Sequence, residues 1–557
     1  MTYPQLLLKR HWISWLSPPS LGRVLFLVFY WAVIVFMMTN KAVISDAYYW
    51  ERIGFRNAWI SVTQVPLVYL LASKSSIVGC IVGSSHERLN WLHRWVSRTL
   101  LLTVTVHGGF FITEWVRADF VKLELEMMPM VKYGIGAWAI LVWTFITSLS
   151  PLRSMAYEIF VLQHIAAAAV FLWLLWVHVP SYASYNVWFA IAAVSFDRII
   201  RLLLAVYRNI RLRRDTLCNR TKTVGHEIEV QAAGNDITVV IIKDVHMSWK
   251  PGQHLYLWIP RLGLLESHPF TIASLCMSSQ GCHCNEIQLA IKTQSGFSRR
   301  IYQYATKTQE TSESLTGFIA GPYGSPPKWE AFESLILIAA STGASFTLPI
   351  LESILKTPRT ICIQRIKFLL IVRERSHSDF YVKRLSDALA NAEAMSISLD
   401  IEIAITGGEA WSVADETVGT LHAEQKSQFS EDDTQELKKA NQQQAYVLVK
   451  FHSPSSSTSS RYRPASEKDC CCVGDGEKSE PLLPSNSIIY SYGRPDIACF
   501  IRRPVEMTGG ETSVAVCGGK SLVTTVRNSV ASLSDERAVH KGTGAQGIHL
   551  HVEEYCF

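Results

Sequence analysis

Six stretches of this chain are long and apolar enough to cross a bilayer, at about residues 21–39, 57–73, 90–112, 133–149, 157–178 and 184–206. A helix needs roughly 20 residues to traverse the hydrocarbon layer. No other feature restricts the fold as much. Inside hydrocarbon every backbone N–H and C=O must be satisfied within the protein, so these segments are expected to be helices and residues 1–207 a membrane bundle of about six spans. The second and fourth stretches are short and the sixth carries Asp197 and Arg198, so their ends are the least sharply drawn.

Charge orients the bundle. Lys9, Arg10 and Arg23 precede the first stretch, Lys74, Arg88, Arg94 and Arg98 surround the entry to the third, Arg153 precedes the fifth, and "RNIRLRR" closes the sixth. The opposite side mixes Lys41, Arg52, Arg56, Arg117, Lys122 and Lys132 with acids. Both termini, and everything after residue 207, are therefore expected in the cytosol. The sequon at Asn219 then lies on the wrong side for glycosylation. "MTYPQLLLKRHW" has an apolar patch too short for a cleaved leader, so the first span reads as an anchor. A net charge of +6 over 557 residues requires no nucleic acid partner.

Two of the apolar stretches carry matched histidines. His93 and His107 are fourteen residues apart in "LHRWVSRTLLLTVTVHG", and His164 and His178 repeat that interval in "LQHIAAAAVFLWLLWVH". At about 100° per residue, fourteen residues leave two side chains about 40° apart in direction and about 21 Å apart along the axis. The third and fifth spans run parallel, so His93 should meet His164 near the inner leaflet and His107 should meet His178 near the outer one. Paired neutral imidazoles are good axial ligands for haem iron, and intramembrane ionisable groups are functional candidates by default. Two histidines alone do not complete a tetrahedral zinc site. His86 falls outside the register and is expected in a loop.

The remainder reads as soluble domains. Residues 215–325 contain short strands with turn punctuation, "ITVVIIKDV", "QHLYLWIP", "HPFTIAS" and "EIQLAIKT", which suit an antiparallel β-barrel. From 332 to 557 strands alternate with helices, the pattern of an α/β nucleotide-binding domain. About 423–486 interrupts it with polar, low-complexity sequence expected to be disordered. The twelve cysteines form no disulfide framework and are expected to be reduced. The CxC of "CMSSQGCHC" lacks a second ligand pair, and the CCC run at 470–472 reads as a solvated loop rather than a lipidation site.

Several soluble motifs occur in a telling order. "HPFTIAS" (His268, Pro269, Phe270, Thr271 and onward) is followed by "SGFSRRI", with Gly296, Ser298 and Arg299. "AGPYG", with Gly321 and Gly324, precedes "IAASTGASFTLPI", in which Thr342 and Gly343 lie between a strand and a helix. Backbone N–H groups and the helix dipole at such a turn can hold a pyrophosphate. "LLIVRERS" ends a strand with Arg373 and Arg375, cations suited to a 2′-phosphate. "SYGRPDI" supplies Arg494, and "VAVCGGKS" supplies Cys517 and Gly518 at another strand end. "GGKS" is not a Walker motif, because Val514 stands where glycine is needed.

Together with the histidine ladder, these motifs resemble the fungal ferric reductase branch of the family that includes NADPH oxidases, over nearly all of residues 21–557. That resemblance implies a ferredoxin-reductase-like module in which His268 and Thr271 contact FAD, Gly296, Ser298 and Arg299 face its pyrophosphate, Arg494 lies near the nucleotide, and Cys517 and Gly518 lie near the nicotinamide. It implies a C-terminal aromatic stacked on the flavin, with Phe557 the candidate and Tyr555 its substitute. This chain has Ala340 and Ser341 where the family has glycine. The implied cofactors are NADPH, FAD and two haem b groups. The implied activity is electron transfer from cytosolic NADPH to an extracytoplasmic ferric chelate or cupric ion at the plasma membrane, with an iron or copper permease downstream. Superoxide production from oxygen is one alternative, and a haem electron carrier or scaffold without efficient NADPH use is another.

Overall fold

The computed structural model describes residues 19–75, 77–82, 85–210, 223–234, 236–264, 266–276, 285–307, 314–356, 362–407, 487–539 and 547–554. The expected insertion at 423–486, the CCC run, Cys282, Cys284, Asn219, Tyr555 and Phe557 lie outside them.

Six long helices make up the first half: α1 (Leu21–Thr39), α2 (Tyr49–Ala72), α3 (His86–Arg117), α4 (Pro129–Thr147), α5 (Tyr157–His178) and α6 (Tyr185–Asn209). Short helices at Ile77–Val82, Val121–Met127 and Ser150–Met155 join them. Of the six, α1, α3, α4 and α5 are long and apolar enough to cross a membrane. α2 and α6 are as long but more polar: α2 buries Asn57, Ser61 and Gln64, and α6 buries Asp197. Asn57 Nδ2 donates to Ile53 C=O at 2.9 Å while its Oδ1 is buried without a partner; the other three are paired. Tyr30 OH donates to Gln64 Oε1 at 2.7 Å, Gln64 Nε2 and Ser61 Oγ donate to Thr103 Oγ1 at 3.2 and 2.9 Å, and Asp197 accepts from the Ser75 N–H at 2.8 Å. Interhelical hydrogen bonds of this kind hold helices together where lipid is as apolar as the side chains. The outward faces carry bulky apolar groups such as Phe29, Phe36, Trp173 and Leu202, as lipid contact requires. His86 does not lie in a loop: it is the first residue of α3, after Ser85.

A six-stranded antiparallel sheet follows, in the order β4-β3-β6-β1-β2-β5, built from β1 (His226–Ala233), β2 (Ile237–Val245), β3 (His254–Trp258), β4 (His268–Thr271), β5 (Asn285–Lys292) and β6 (Leu315–Tyr323). Alternate residues point inward, among them Leu255 and Leu257 of β3 and Ile287, Leu289 and Ile291 of β5. The sheet curls until the Ala273 N–H, just beyond β4, donates to Gln288 C=O of β5 at 2.8 Å. Helix α7 (Phe297–Lys307) packs Phe297, Ile301 and Ala305 into this barrel.

The last region is a parallel sheet ordered β10-β9-β8-β7-β11-β12, from β7 (Ser334–Ala340), β8 (Arg365–Val372), β9 (Ser398–Ile405), β10 (Ser487–Tyr492), β11 (Thr512–Gly518) and β12 (Ile548–Glu554). β7 and β11 are near-continuous apolar runs because helices cover both faces: α8 (Ala344–Lys356) and α9 (Ser376–Ala394) on one core, α10 (Ile497–Glu506) and α11 (Lys520–Val539) on the other. Strand order reverses between β7 and β11, which is where open α/β sheets bind ligands.

Asn209, the last residue of α6, joins membrane bundle to barrel. Its Nδ2 donates to Ile319 C=O at 2.9 Å, its Oδ1 accepts the Ile319 N–H at 2.8 Å, and its carbonyl accepts the Gly225 N–H at 2.8 Å. Asn209→Ala would leave both Ile319 backbone groups unpaired and buried. The expected loss is about 2 kcal/mol or more of stability, read as a lowered thermal midpoint and faster proteolysis after residue 210 in the purified protein.

Candidate functional site

The four membrane histidines meet in two pairs. The rings of His93 and His164 have centroids 6.5 Å apart, and those of His107 and His178 are 6.2 Å apart. Two metal–nitrogen bonds of about 2 Å, plus about 1 Å from each nitrogen to its ring centre, place such centroids about 6 Å apart. Second partners fix the rings. Nδ1 of His93 lies 3.0 Å from Val68 C=O, Nδ1 of His107 lies 2.9 Å from Gly54 C=O, and Nδ1 of His178 lies 2.9 Å from Met130 C=O. A carbonyl only accepts, so in each case Nδ1 carries the proton and Nε2 keeps the lone pair that a metal needs. Nδ1 of His164 is buried with no hydrogen-bond partner. A buried orphan imidazole is costly, and a metal shared between each pair of rings would take up the Nε2 lone pairs. The donor set fits a haem iron in each pair. Leu100 and Phe171, the sequence midpoints of the two fourteen-residue intervals, are both buried between the levels.

Space for the outer pair comes from a glycine. A Cβ on Gly134 of α4 would lie 2.6 Å from His178 Nδ1 and 3.0 Å from its Nε2. Gly134→Ala should therefore push the ring off its Met130 carbonyl. Bound haem is expected to fall to about half, with the low-spin signature of one site retained, as measured by pyridine haemochrome and difference spectra.

The barrel brings His268 to the first turn of α5, the helix that carries His164. His268 of β4 stacks on Phe297 at 4.7 Å and 21°, and Phe270 lies beside the same ring at 6.4 Å. His268 Nε2 is buried without a hydrogen-bond partner, 3.6 Å from Glu266 and 3.8 Å from Glu158. Glu158 is in the first turn of α5, six residues before His164. Pro269 is exposed and Thr271 ends the strand. Gly296 takes a left-handed φ of +61° at the start of α7. Ser298 Oγ is engaged locally, accepting from the Gln294 N–H at 3.0 Å and donating to Ser295 C=O at 3.2 Å, while Arg299 is exposed. Arg300, which the sequence reading passed over, holds the Leu262 carbonyl at 2.7 Å and pairs with Glu266. Gly321 (φ +146°) and Gly324 (φ +103°) lie where β6 leaves the barrel, and a Cβ at 321 would press within 3.0 Å of Leu255 Cα.

The nucleotide-motif residues stand along the carboxyl edge of the parallel sheet, and two of their segments meet at the β7/β11 switch point. Ala339 pairs with Cys517, so the Ser341–Thr342–Gly343 turn sits beside the Cys517–Gly518 strand end. Burial, with the Glu553 carboxylate nearby, pushes the Cys517 thiol up, so it is protonated at neutral pH and no nucleophile. Arg373 and Arg375 follow β8 and Arg494 follows β10; all three are exposed, and Arg375 lies 5.2 Å over the Tyr490 ring. These cations stand along the carboxyl edge of one sheet. The missing glycine has a cost: Ser341 adopts φ +49°, and its hydroxyl is buried without a partner. Ser341→Gly should stabilise the protein by about 1 kcal/mol, visible as a higher thermal midpoint with unweakened nucleotide binding.

The first turn of α3 was missed altogether. Glu87 accepts from His254 of β3 at 2.7 Å and lies 3.0 Å from His86, whose ring packs against Tyr256 and Tyr323. Arg88 reaches the other soluble domain: its Nη2 lies 2.9 Å from His551 Nε2, 3.1 Å from Val552 C=O and 2.9 Å from Glu553 of β12. Burial would raise the Glu553 carboxyl, but His551 and Arg88 outweigh it and hold it below the ordinary carboxylate range. The only sequence signal for this junction was a charged His-Glu-Arg triplet ahead of an apolar run.

Fold and site define a membrane helical bundle joined to a flavin- and nicotinamide-binding reductase module. Residues 57–175 match the ferric reductase like transmembrane component, residues 224–327 the FAD-binding domain, and residues 332–531 the ferric reductase NAD binding domain. The chain belongs to the ferric reductase family. It is 30% identical over 363 residues to a probable cell surface ferric reductase, kap2, of Aspergillus oryzae, which covers 61% of this chain and 46% of that one. It is 25% identical over 299 residues to ferric reductase transmembrane component 4 of Saccharomyces cerevisiae, covering 52% and 38%. It is 23% identical over 507 residues to ferric/cupric reductase transmembrane component 2 of the same yeast, covering 90% and 61%. The chain thus spans about half the length of the curated relatives it matches.

Proposed function

We propose that this chain carries electrons from cytosolic NADPH across a membrane to a ferric chelate, with cupric ion as a second metal acceptor. The carrying observation is the pair of histidine couples stacked along α3 and α5, the inner one close to the β4 motif through Glu158 and His268. When bound, NADPH, FAD and two haem b groups would supply hydride donation, the change from two-electron to one-electron chemistry, and a one-electron relay. The chain's own residues do the placing. His93 with His164, and His107 with His178, would each hold one haem iron, and the Nδ1 bonds to Val68, Gly54 and Met130 keep three rings aimed. Leu100 and Phe171 keep water out of the interval. The β4 motif and the start of α7 would bind FAD. The β7/β11 switch point would bind the nucleotide, with Arg373, Arg375 and Arg494 favouring a 2′-phosphate and hence NADPH.

Access to the outer pair supports a bulky acceptor. The connections on that side, residues 40–48, 118–128 and 179–184, are short. The names of the curated relatives support iron or copper and a place at the cell surface, and a metal-reducing role fits an iron or copper permease downstream. Under anaerobic conditions, NADPH should reduce the flavin and then both haems. His93→Ala should lose the inner haem and His107→Ala the outer, each abolishing metal reduction while NADPH-driven flavin reduction survives. Rates with ferric chelate, cupric ion and oxygen should be compared side by side. Loss of apparent iron reduction on adding superoxide dismutase would make oxygen the acceptor, and NADPH-inert haems that dithionite still reduces would leave only an electron carrier.

A further inference from the structure

One guanidinium ties the flavin motif to the helices of the nucleotide sheet. Arg384 lies on α9, and its side chain and that of Glu352 are both partly buried, 19% and 16% exposed. Its Nε donates to Glu352 Oε1 at 2.7 Å and its Nη2 to Glu352 Oε2 at 2.8 Å, a two-pronged pair. The same Nη2 donates to the backbone carbonyl of Ala273 at 2.7 Å. Ala273 stands two residues beyond Thr271, at the end of the β4 flavin motif. Glu352 stands on α8, the helix that the Ser341–Gly343 turn opens.

A second tie runs parallel to the first. His377, seven residues before Arg384 and so on the same face of α9, places Nε2 3.0 Å from Asp236 Oδ1 in the β1–β2 turn. Arg384 Nη1 is buried with no hydrogen-bond partner. That unmet donor is a cost a simple staple would have no reason to carry, and an apolar contact would join the domains more cheaply.

We infer that Arg384, oriented by Glu352, is a positioning residue for hydride transfer: it sets the separation between the flavin-binding and nicotinamide-binding segments. The inference rests on the proposed function. The step it serves moves one proton and two electrons as hydride from reduced nicotinamide to flavin, leaving NADP⁺ and a two-electron-reduced flavin. Neither Arg384 nor Glu352 exchanges a proton in it. Productive transfer needs reacting atoms within about 3.5 Å, and a 1 Å displacement costs on the order of a hundredfold. A clamp between the two binding segments therefore acts on rate more than on affinity.

The test uses the full-length, flavin- and haem-loaded protein in detergent. Arg384→Lys keeps the charge but lacks the fork that reaches Glu352 and the Ala273 carbonyl together. Arg384→Ala removes both contacts. Anaerobic stopped-flow at saturating NADPH reads flavin reduction, with NADPH and with its C4-deuterated form. Hydrogen exchange reads amides 271–275 and 285–288, and flavin content and thermal midpoint are recorded for each variant. In Arg384→Lys, flavin reduction should slow about tenfold or more, with the deuterium effect enlarged, half-saturating NADPH within about threefold, flavin content unchanged, and faster exchange at 271–275. A wild-type rate in both variants with flavin retained overturns the inference. So does a rate loss matched by loss of flavin, which makes the contact a staple only. Failure of the wild-type protein itself to reduce its flavin with NADPH sinks the proposed function instead, so the two failures are distinguishable.

Discussion

An imidazole inside hydrocarbon gains by giving its N–H to a carbonyl, and three of the four membrane histidines do so in a way that organises the membrane half of this protein. His93 and His107 both reach α2, at Val68 and Gly54, so α2 has to lie alongside α3 for its whole length. His178 reaches the first turn of α4 at Met130, which draws α4 against α5, and Gly134 leaves room for the ring. Each bond also chooses the tautomer, leaving Nε2 bare toward its partner ring. Helix packing and ligand chemistry are one problem here. α2 and α6 are the less apolar helices because they also carry the polar groups of this core and of the cytosolic junction.

The soluble half answers a different demand, that three binding regions meet. The junction is narrow. Glu87 and His86 touch the barrel and Arg88 touches β12, all within one turn of the helix that holds His93 two turns later. Partly exposed ion pairs contribute little stability each. Their value lies in registering three elements against each other, with the His551 ring buried between Trp329 and Phe346 as the firm surface beneath.

Much of this was legible from sequence for physical reasons. Hydrophobic runs, a fourteen-residue interval and parallel spans fix which histidines meet, because helical geometry is rigid. Period-two strands gave the barrel, and alternating strands and helices gave the nucleotide sheet. The turns and strand ends that carry the candidate flavin and nucleotide residues were locatable because glycine, proline and strand-end residues have local causes. The junction at His86–Arg88 was not legible. Its partners lie more than 160 residues away, and a charged triplet before an apolar run reads equally as a solvated entry. Arg384 was invisible for the same reason, its partners being Glu352 and a backbone carbonyl 111 residues away. The strain at Ser341 could be suspected from the absent glycine, but only the backbone angle shows that the turn keeps its left-handed shape.

The amide of Asn209 has a wider consequence. Two hydrogen bonds to one residue of β6, made from the last turn of a membrane helix, leave no free pivot at that point. The barrel is thus registered on the bundle at the point where α6 ends. Arg88 ties the α/β sheet to α3 and Arg384 ties it to the barrel, so the end of α6 helps set one frame to which all three regions register.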